Sequence, residues 1–131
     1  MSALIWLVDD DTPLRESIAF LLKTLGYDVV DFAELGGFEA CLPDPEAEPF
    51  SGCLLLDVPL ADFNGPGWLE ENKRRHPLLP VIMMADHDIP EAFRQDAFAA
   101  FTKPLDVEQL LESIKQAMAE SARRVESWRS G

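Results

Sequence analysis

Five short strand-like runs punctuate this chain, and a segment of helical rhythm follows each of them. The runs are Leu4-Ile5-Trp6-Leu7-Val8, Asp28-Val29-Val30-Asp31-Phe32, Cys53-Leu54-Leu55-Leu56, Val81-Ile82-Met83-Met84 and Phe98 to Phe101. Most are continuously apolar rather than alternating, which marks strands covered on both faces, as in a parallel sheet. Strand and helix alternating five times predict an α/β chain, a parallel sheet with helices on both faces joined by right-handed crossovers.

The helical segments carry their own signals. Thr12-Pro13 opens the first, with an oxygen-bearing side chain at the cap and proline in the first turn. Leu14, Ile18, Leu21, Leu22 and Leu25 recur at helical spacing, and Gly26 ends it. Residues 34–42 predict a second helix weakened by Gly36-Gly37. Trp68 to Arg75 is a polar helix, and Ile89 to about Asp96 a short one. The last helix places Val107, Leu110, Leu111, Ile114, Met118 and Val125 along one stripe, with Asp106 as its cap. Pro43-Asp44-Pro45-Glu46-Ala47-Glu48-Pro49 cannot continue any element and reads as a surface loop rather than an interdomain linker. The 131 residues fit one domain.

No apolar run approaches the roughly 20 residues of a membrane span. The start, Met1-Ser2-Ala3-Leu4-Ile5-Trp6, lacks the basic leader of a signal peptide. Cys41 and Cys53 both sit in apolar surroundings, so reduced thiols and a cytoplasmic location are expected, with no membrane contact. Net charge is −13. Residues 103–131 balance acids against bases, so the whole acidic excess lies in residues 1–102. Such a surface repels phosphate backbones, which argues against direct nucleic-acid binding.

Charge appears where three of the apolar runs break off: Asp9-Asp10 after the first, Asp57 after the third and Lys103 after the fifth. Doubly wound sheets bind ligands at the carboxyl ends of their strands, where the strand order reverses. With the first and third strands adjacent, Asp9, Asp10 and Asp57 converge there. Three close carboxylates raise each other's pKa unless a cation sits among them, and a hard divalent ion such as Mg2+ suits an all-oxygen site. Carboxylate, Mg2+ and the Lys103 ammonium together neutralise a phosphoryl group during transfer.

Val8-Asp9-Asp10, Leu54-Leu55-Leu56-Asp57, Gly65 eight residues later and Lys103-Pro104 resemble, in order and spacing, the receiver domains of two-component response regulators. The likeness covers residues 3–122, and the phrasing around Cys53-Leu54-Leu55-Leu56-Asp57-Val58 and Phe32-Ala33-Glu34 is most similar to the nitrogen-fixation and LuxR-type group. It implies a flavodoxin-like, five-stranded sheet of order 2-1-3-4-5 over residues 1–122, with 123–131 a C-terminal tail or the start of a linker. It implies Asp57 as the phosphoacceptor and Lys103 as the phosphoryl contact. It implies Mg2+ on Asp9, Asp10, Asp57 and the backbone carbonyl of Pro59, with Asp9 acting partly through water. The Lys103–Pro104 peptide would be cis, which proline permits at about 0.5–1 kcal/mol. The implied partners are a sensor histidine kinase or phosphotransfer protein, and a DNA-binding output domain outside this chain; a homodimer is compatible with the likeness.

The chain departs from that family's pattern at its switch. Members usually carry threonine or serine at the end of the fourth strand and an aromatic ring three residues before the lysine; here these positions hold Ala85 and Ala100. Between Pro90 and Lys103 the chain is a few residues short, so the fourth helix should be stunted. A rival reading is therefore a degenerate receiver, an interaction module independent of phosphate. A third, an aspartate-nucleophile phosphatase, lacks its general acid, because Pro59 stands two residues after Asp57; the chain is read as no enzyme. Blander expectations hold elsewhere. Asp11 is a solvated turn and cap, His76 and His87 lie at the surface, and Trp6, Phe98, Phe101 and Met83-Met84 belong to the core. Trp68 and Trp128 are partly exposed.

Overall fold

A computed structural model of the chain describes residues 4–42, 52–58 and 66–130, the side chains of Pro66 and Arg94 excepted. The elements run β1 (Leu4–Val8), α1 (Thr12–Thr24), β2 (Asp28–Phe32), α2 (Leu35–Cys41), β3 (Gly52–Val58), α3 (Pro66–Arg75), β4 (Val81–Ala85), α4 (Glu91–Arg94), β5 (Ala99–Thr102) and α5 (Val107–Ser130). All neighbouring strands are parallel, and their order is β2-β1-β3-β4-β5. This is the parallel sheet expected from the alternation, in the flavodoxin-like strand order that the receiver likeness implies.

The pleat sorts each central strand between two cores. Ile5 and Leu7 on β1, Cys53 and Leu55 on β3, and Ile82 and Met84 on β4 pack against Ile18, Ala19 and Leu22 of α1 and Leu110, Ile114 and Ala117 of α5. The alternate residues, Trp6, Val8, Leu54, Leu56, Val81 and Met83, pack against Leu35 and Phe38 of α2, Leu69 of α3, and Ile89. Two buried faces are why these runs are apolar without a break. Strand β2, at the sheet edge, is exposed or half-buried along its length.

Local chemistry sets the helix ends. Asp11, not Thr12, is the N-cap of α1: its side chain accepts from the Leu14 N–H at 3.2 Å. Asp106 accepts from the Gln109 N–H at 3.1 Å and caps α5. Gly26 follows α1 with φ +96°, a left-handed turn that suits glycine. Helix α2 forms despite Gly36-Gly37 because Leu35 and Phe38 are fully buried. Helix α4 is a single turn, the stunting expected from the shortened segment.

Several surface expectations are corrected. His76 is 7% exposed, buried at the residue that follows α3 rather than at the surface. Cys41 is exposed, at the end of α2, whereas Cys53 is buried in β3. Leu25 and Val107, assigned to apolar stripes, are 53% and 49% exposed; each stands at a helix end, Leu25 as the C-cap of α1 and Val107 as the first residue of α5. Phe98 and Phe101 are only partly buried, since β5 is the other edge strand. Trp6 is buried, and Trp128 is exposed. Helix α5 continues unbroken past residue 122, and its Ser121 is fully buried, accepting from the Gly52 N–H at 2.8 Å.

Candidate functional site

The pleat also selects the site. Ile5 and Leu7 face α1 and α5, and the next residue of that parity is Asp9; Cys53 and Leu55 lead in the same way to Asp57. The register pairs Val8 with Leu56, so Asp9 emerges beside Asp57. Phe101 packs toward the same face, two residues before Lys103. One oxygen from each of Asp9, Asp10 and Asp57 lies within 4.8 Å of the others. Lys103 Nζ is 2.7 Å from Asp57 Oδ1. Its backbone N–H donates to Ala85 O at 2.7 Å, and its peptide bond to Pro104 is cis.

Burial divides the three acids. Asp9 is fully buried and Asp57 is 4% exposed, whereas Asp10 faces solvent. Asp9 Oδ1 accepts from the Asp11 N–H at 2.9 Å. Its other oxygen, Oδ2, is buried and finds no donor among the described residues. Burial raises the Asp57 carboxyl to about 6; Lys103 opposes the rise and the charge of Asp9 adds to it. Burial likewise raises Asp9 above the ordinary carboxylate range, against the Asp11 N–H. Mutual repulsion was the expected cause; desolvation is the larger one. Burial opposes the Lys103 charge, but the hydrogen bond and charge of Asp57, then Asp9 and Asp86, raise its value overall.

An orphaned buried oxygen, two carboxyls raised in pKa and an all-oxygen donor set fit a hard divalent cation. Asp9, Asp10 and Asp57 would hold it. Pro59, the expected carbonyl ligand, and Gly65 lie outside the described residues. The same observations set a pH dependence. Because the folded value of Asp57 lies above the unfolded one, its stabilising contribution is complete below about pH 4 and lost as pH rises through about 6. A cation needs the ionised form, so Mg2+ affinity should be about tenfold weaker at pH 5 than at pH 7. Calorimetric titration at the two pH values checks this; equal affinities would contradict it.

Two residues that strand-end reading had not singled out also join the site. Arg15 Nη1 donates to Asp9 O at 2.7 Å, and its Nε pairs with Asp31 Oδ2 at 3.0 Å, bracing the end of β1 against β2. A cation in the first turn of α1 opposes the helix dipole, which was the available signal. Asp86 Oδ1 lies 3.6 Å from Lys103 Nζ. The run Val81 to Ala85 breaks off at Asp86, so the rule that found Asp57 would have found it. Ala85 is buried and Ala100 partly so; both pack with the α2–α4 face and offer no polar side-chain atom. His87 is exposed, next to Asp86.

Residues 5–115 match the family model of the response regulator receiver domain. NtrC of Salmonella typhimurium, a DNA-binding transcriptional regulator, is 29% identical over 120 residues, covering 88% of this chain and 25% of NtrC. The transcriptional regulatory protein FixJ of Bradyrhizobium diazoefficiens is 30% identical over 121 residues, covering 89% of this chain and 57% of FixJ. The chain thus spans about a quarter of NtrC and little more than half of FixJ. Among solved structures, a receiver domain protein from Methanospirillum hungatei JF-1 superposes with a TM-score of 0.77 at 30% identity, covering 95% of this chain and 99% of that one.

Proposed function

Because the chain belongs to the response regulator receiver domain family, we propose that Asp57 accepts a phosphoryl group from a phosphohistidine of a sensor kinase or phosphotransfer protein. The observation that carries this reading is the buried Asp57 carboxylate, held 2.7 Å from Lys103 and within 4.8 Å of Asp9 and Asp10. An Asp57 oxygen attacks phosphorus, a P–O bond forms as the P–N bond breaks, and the departing imidazole keeps the electron pair and takes up a proton. Lys103 meets the phosphoryl oxygens with an ammonium already held beside Asp57. A bound Mg2+ would neutralise the charge of the carboxylates and the phosphoryl group. Asp9 is fixed for that role by the Asp11 N–H, and its carbonyl by Arg15.

Cytoplasmic placement and a DNA-binding output domain outside this chain belong to this proposal. Among the described residues no helix is long and apolar enough to cross a membrane, and both relatives above extend well beyond the matched region. A phosphoryl acceptor of this kind is a signalling component and not an enzyme in the usual sense.

Ala85 and Ala100 favour a second reading, a receiver that binds partners without regard to phosphate. Beryllofluoride with Mg2+ separates the two. If Asp57 works as an acceptor, the phosphate mimic binds and shifts the amide signals of Asp57, Asp10 and Lys103. The amides around Ala100 should barely move, because a methyl group cannot follow the phosphoryl group. Absence of binding would favour the phosphate-independent reading.

A further inference from the structure

The junction after β4 carries an acid that neither the acceptor chemistry nor the carboxylate cluster uses. Ile82 and Met84 face α1 and α5, the side of the sheet that Asp57 and Lys103 occupy. The register pairs Met84 with Phe101 and Ala85 with Thr102, so the next step brings Asp86 level with Lys103. The contact is made: Asp86 Oδ1 lies 3.6 Å from Nζ, while Asp57 Oδ1 lies 2.7 Å from it. One ammonium is therefore shared by a carboxylate of β3 and one that directly follows β4. Ala85 packs into the opposite core and offers only a methyl group.

The two contacts are unequal. The Asp86 side chain is 63% exposed, and that of Asp57 only 6%. Solvent competes for the Asp86 contact, which makes it the weaker of the two. Phosphorylation places additional negative charge on the Asp57 side, where burial strengthens its effect. That charge draws the Lys103 ammonium and repels the Asp86 carboxylate. A phosphate can bias two conformations only if it interacts with them differently, and this repulsion supplies such a difference.

Resting on the acceptor reading above, we propose that Asp86 is a positioning residue for Lys103, which competes with the phosphoryl group for the ammonium. Its release on phosphorylation is the contact by which the segment between β4 and α4 senses the phosphate. The coupling acts by expulsion of a carboxylate, in a chain where Ala85 cannot supply an inward-pulled hydroxyl.

The test uses the full chain, Asp86→Asn and Asp86→Glu, each titrated with beryllofluoride in the presence of Mg2+ and followed by amide NMR. In the parent, the amides of residues 86–89 shift together with those of Asp57 and Lys103. In Asp86→Asn those loop shifts are largely lost, while beryllofluoride binds several-fold more tightly because its competitor is gone. In Asp86→Glu both properties stay close to the parent. A purely structural role for Asp86 would not tighten binding. Full loop shifts in Asp86→Asn, or binding to the parent with a still loop, would overturn the proposal and leave the acceptor reading standing. No binding to the parent would overturn both.

Discussion

Replacing Lys103 by alanine is expected to slow phosphoryl uptake from acetyl phosphate by about 10²–10³-fold, the loss that follows removal of one preorganised charge from a transfer site. Lys103 Nζ lies 2.7 Å from Asp57 Oδ1, on a side chain only 19% exposed, so little water is available to take its place. Intact-protein mass spectrometry against time reads the rate. The same substitution has a thermodynamic signature. Without the ammonium, Asp57 and Asp9 are left as buried carboxylates with only partial compensation, and the Asp57 value climbs further above about 6. A fully buried pair broken in this way costs about 3–5 kcal/mol; solvent on one side of Lys103 reduces that to about 2 kcal/mol. The loss should be present at pH 8 and nearly absent at pH 5, where Asp57 binds a proton in parent and variant alike. Urea denaturation at the two pH values measures it, and equal losses at both would contradict the pairing.

Gly52→Ala should unfold the domain or come close to it. A Cβ on Gly52 would stand 2.2 Å from Leu4 O and 2.9 Å from the Trp6 ring. The first is backbone of the adjacent strand, paired with β3 along its length, and cannot step aside without breaking that ladder. The Gly52 N–H also donates to the fully buried Ser121 hydroxyl, so a shift of β3 would strand a polar group against α5. A loss of about 3 kcal/mol or more is expected, a large part of the 5–15 kcal/mol that holds an ordinary domain together. Gly67→Ala is the control. Gly67 lies in α3 with nothing within 4 Å of the added carbon, so alanine there should stabilise by up to about 1 kcal/mol. Urea midpoints of the two variants on opposite sides of the parent would bear out both readings; a stable Gly52→Ala would contradict the first.

The sheet was readable because strands covered on both faces cannot hide. Runs such as Ile5 to Val8 and Leu54 to Leu56 have no polar side to confuse with a helix stripe, and the structure buries every residue of both. The acids were readable because a carboxylate interrupting such a run is costly without a purpose. What escaped depends on the packed arrangement, which sequence patterning does not measure. Leu25 and Val107 obey the helical period, yet each stands at the end of its helix and is exposed. His76 follows the polar run Lys73-Arg74-Arg75, which masks that the chain turns just after it and leaves it buried. Arg15 braces Asp9 and Asp31 across two strands, a contact that exists only after β1 and β2 pair. Asp86 carries the same signal, an acid where the apolar run Val81 to Ala85 stops, and its contact with Lys103 exists only once β4 and β5 pair.

Whether Asp57 is a working phosphoacceptor is read most directly by incubating the full chain with acetyl phosphate and Mg2+, followed by mass spectrometry and mapping of the modified residue. One phosphoryl group should appear, on Asp57, and disappear in Asp57→Asn, while Asp9 and Asp10 stay unmodified. An unmodified chain under conditions that preserve its fold, or a phosphoryl group on another residue, would contradict it.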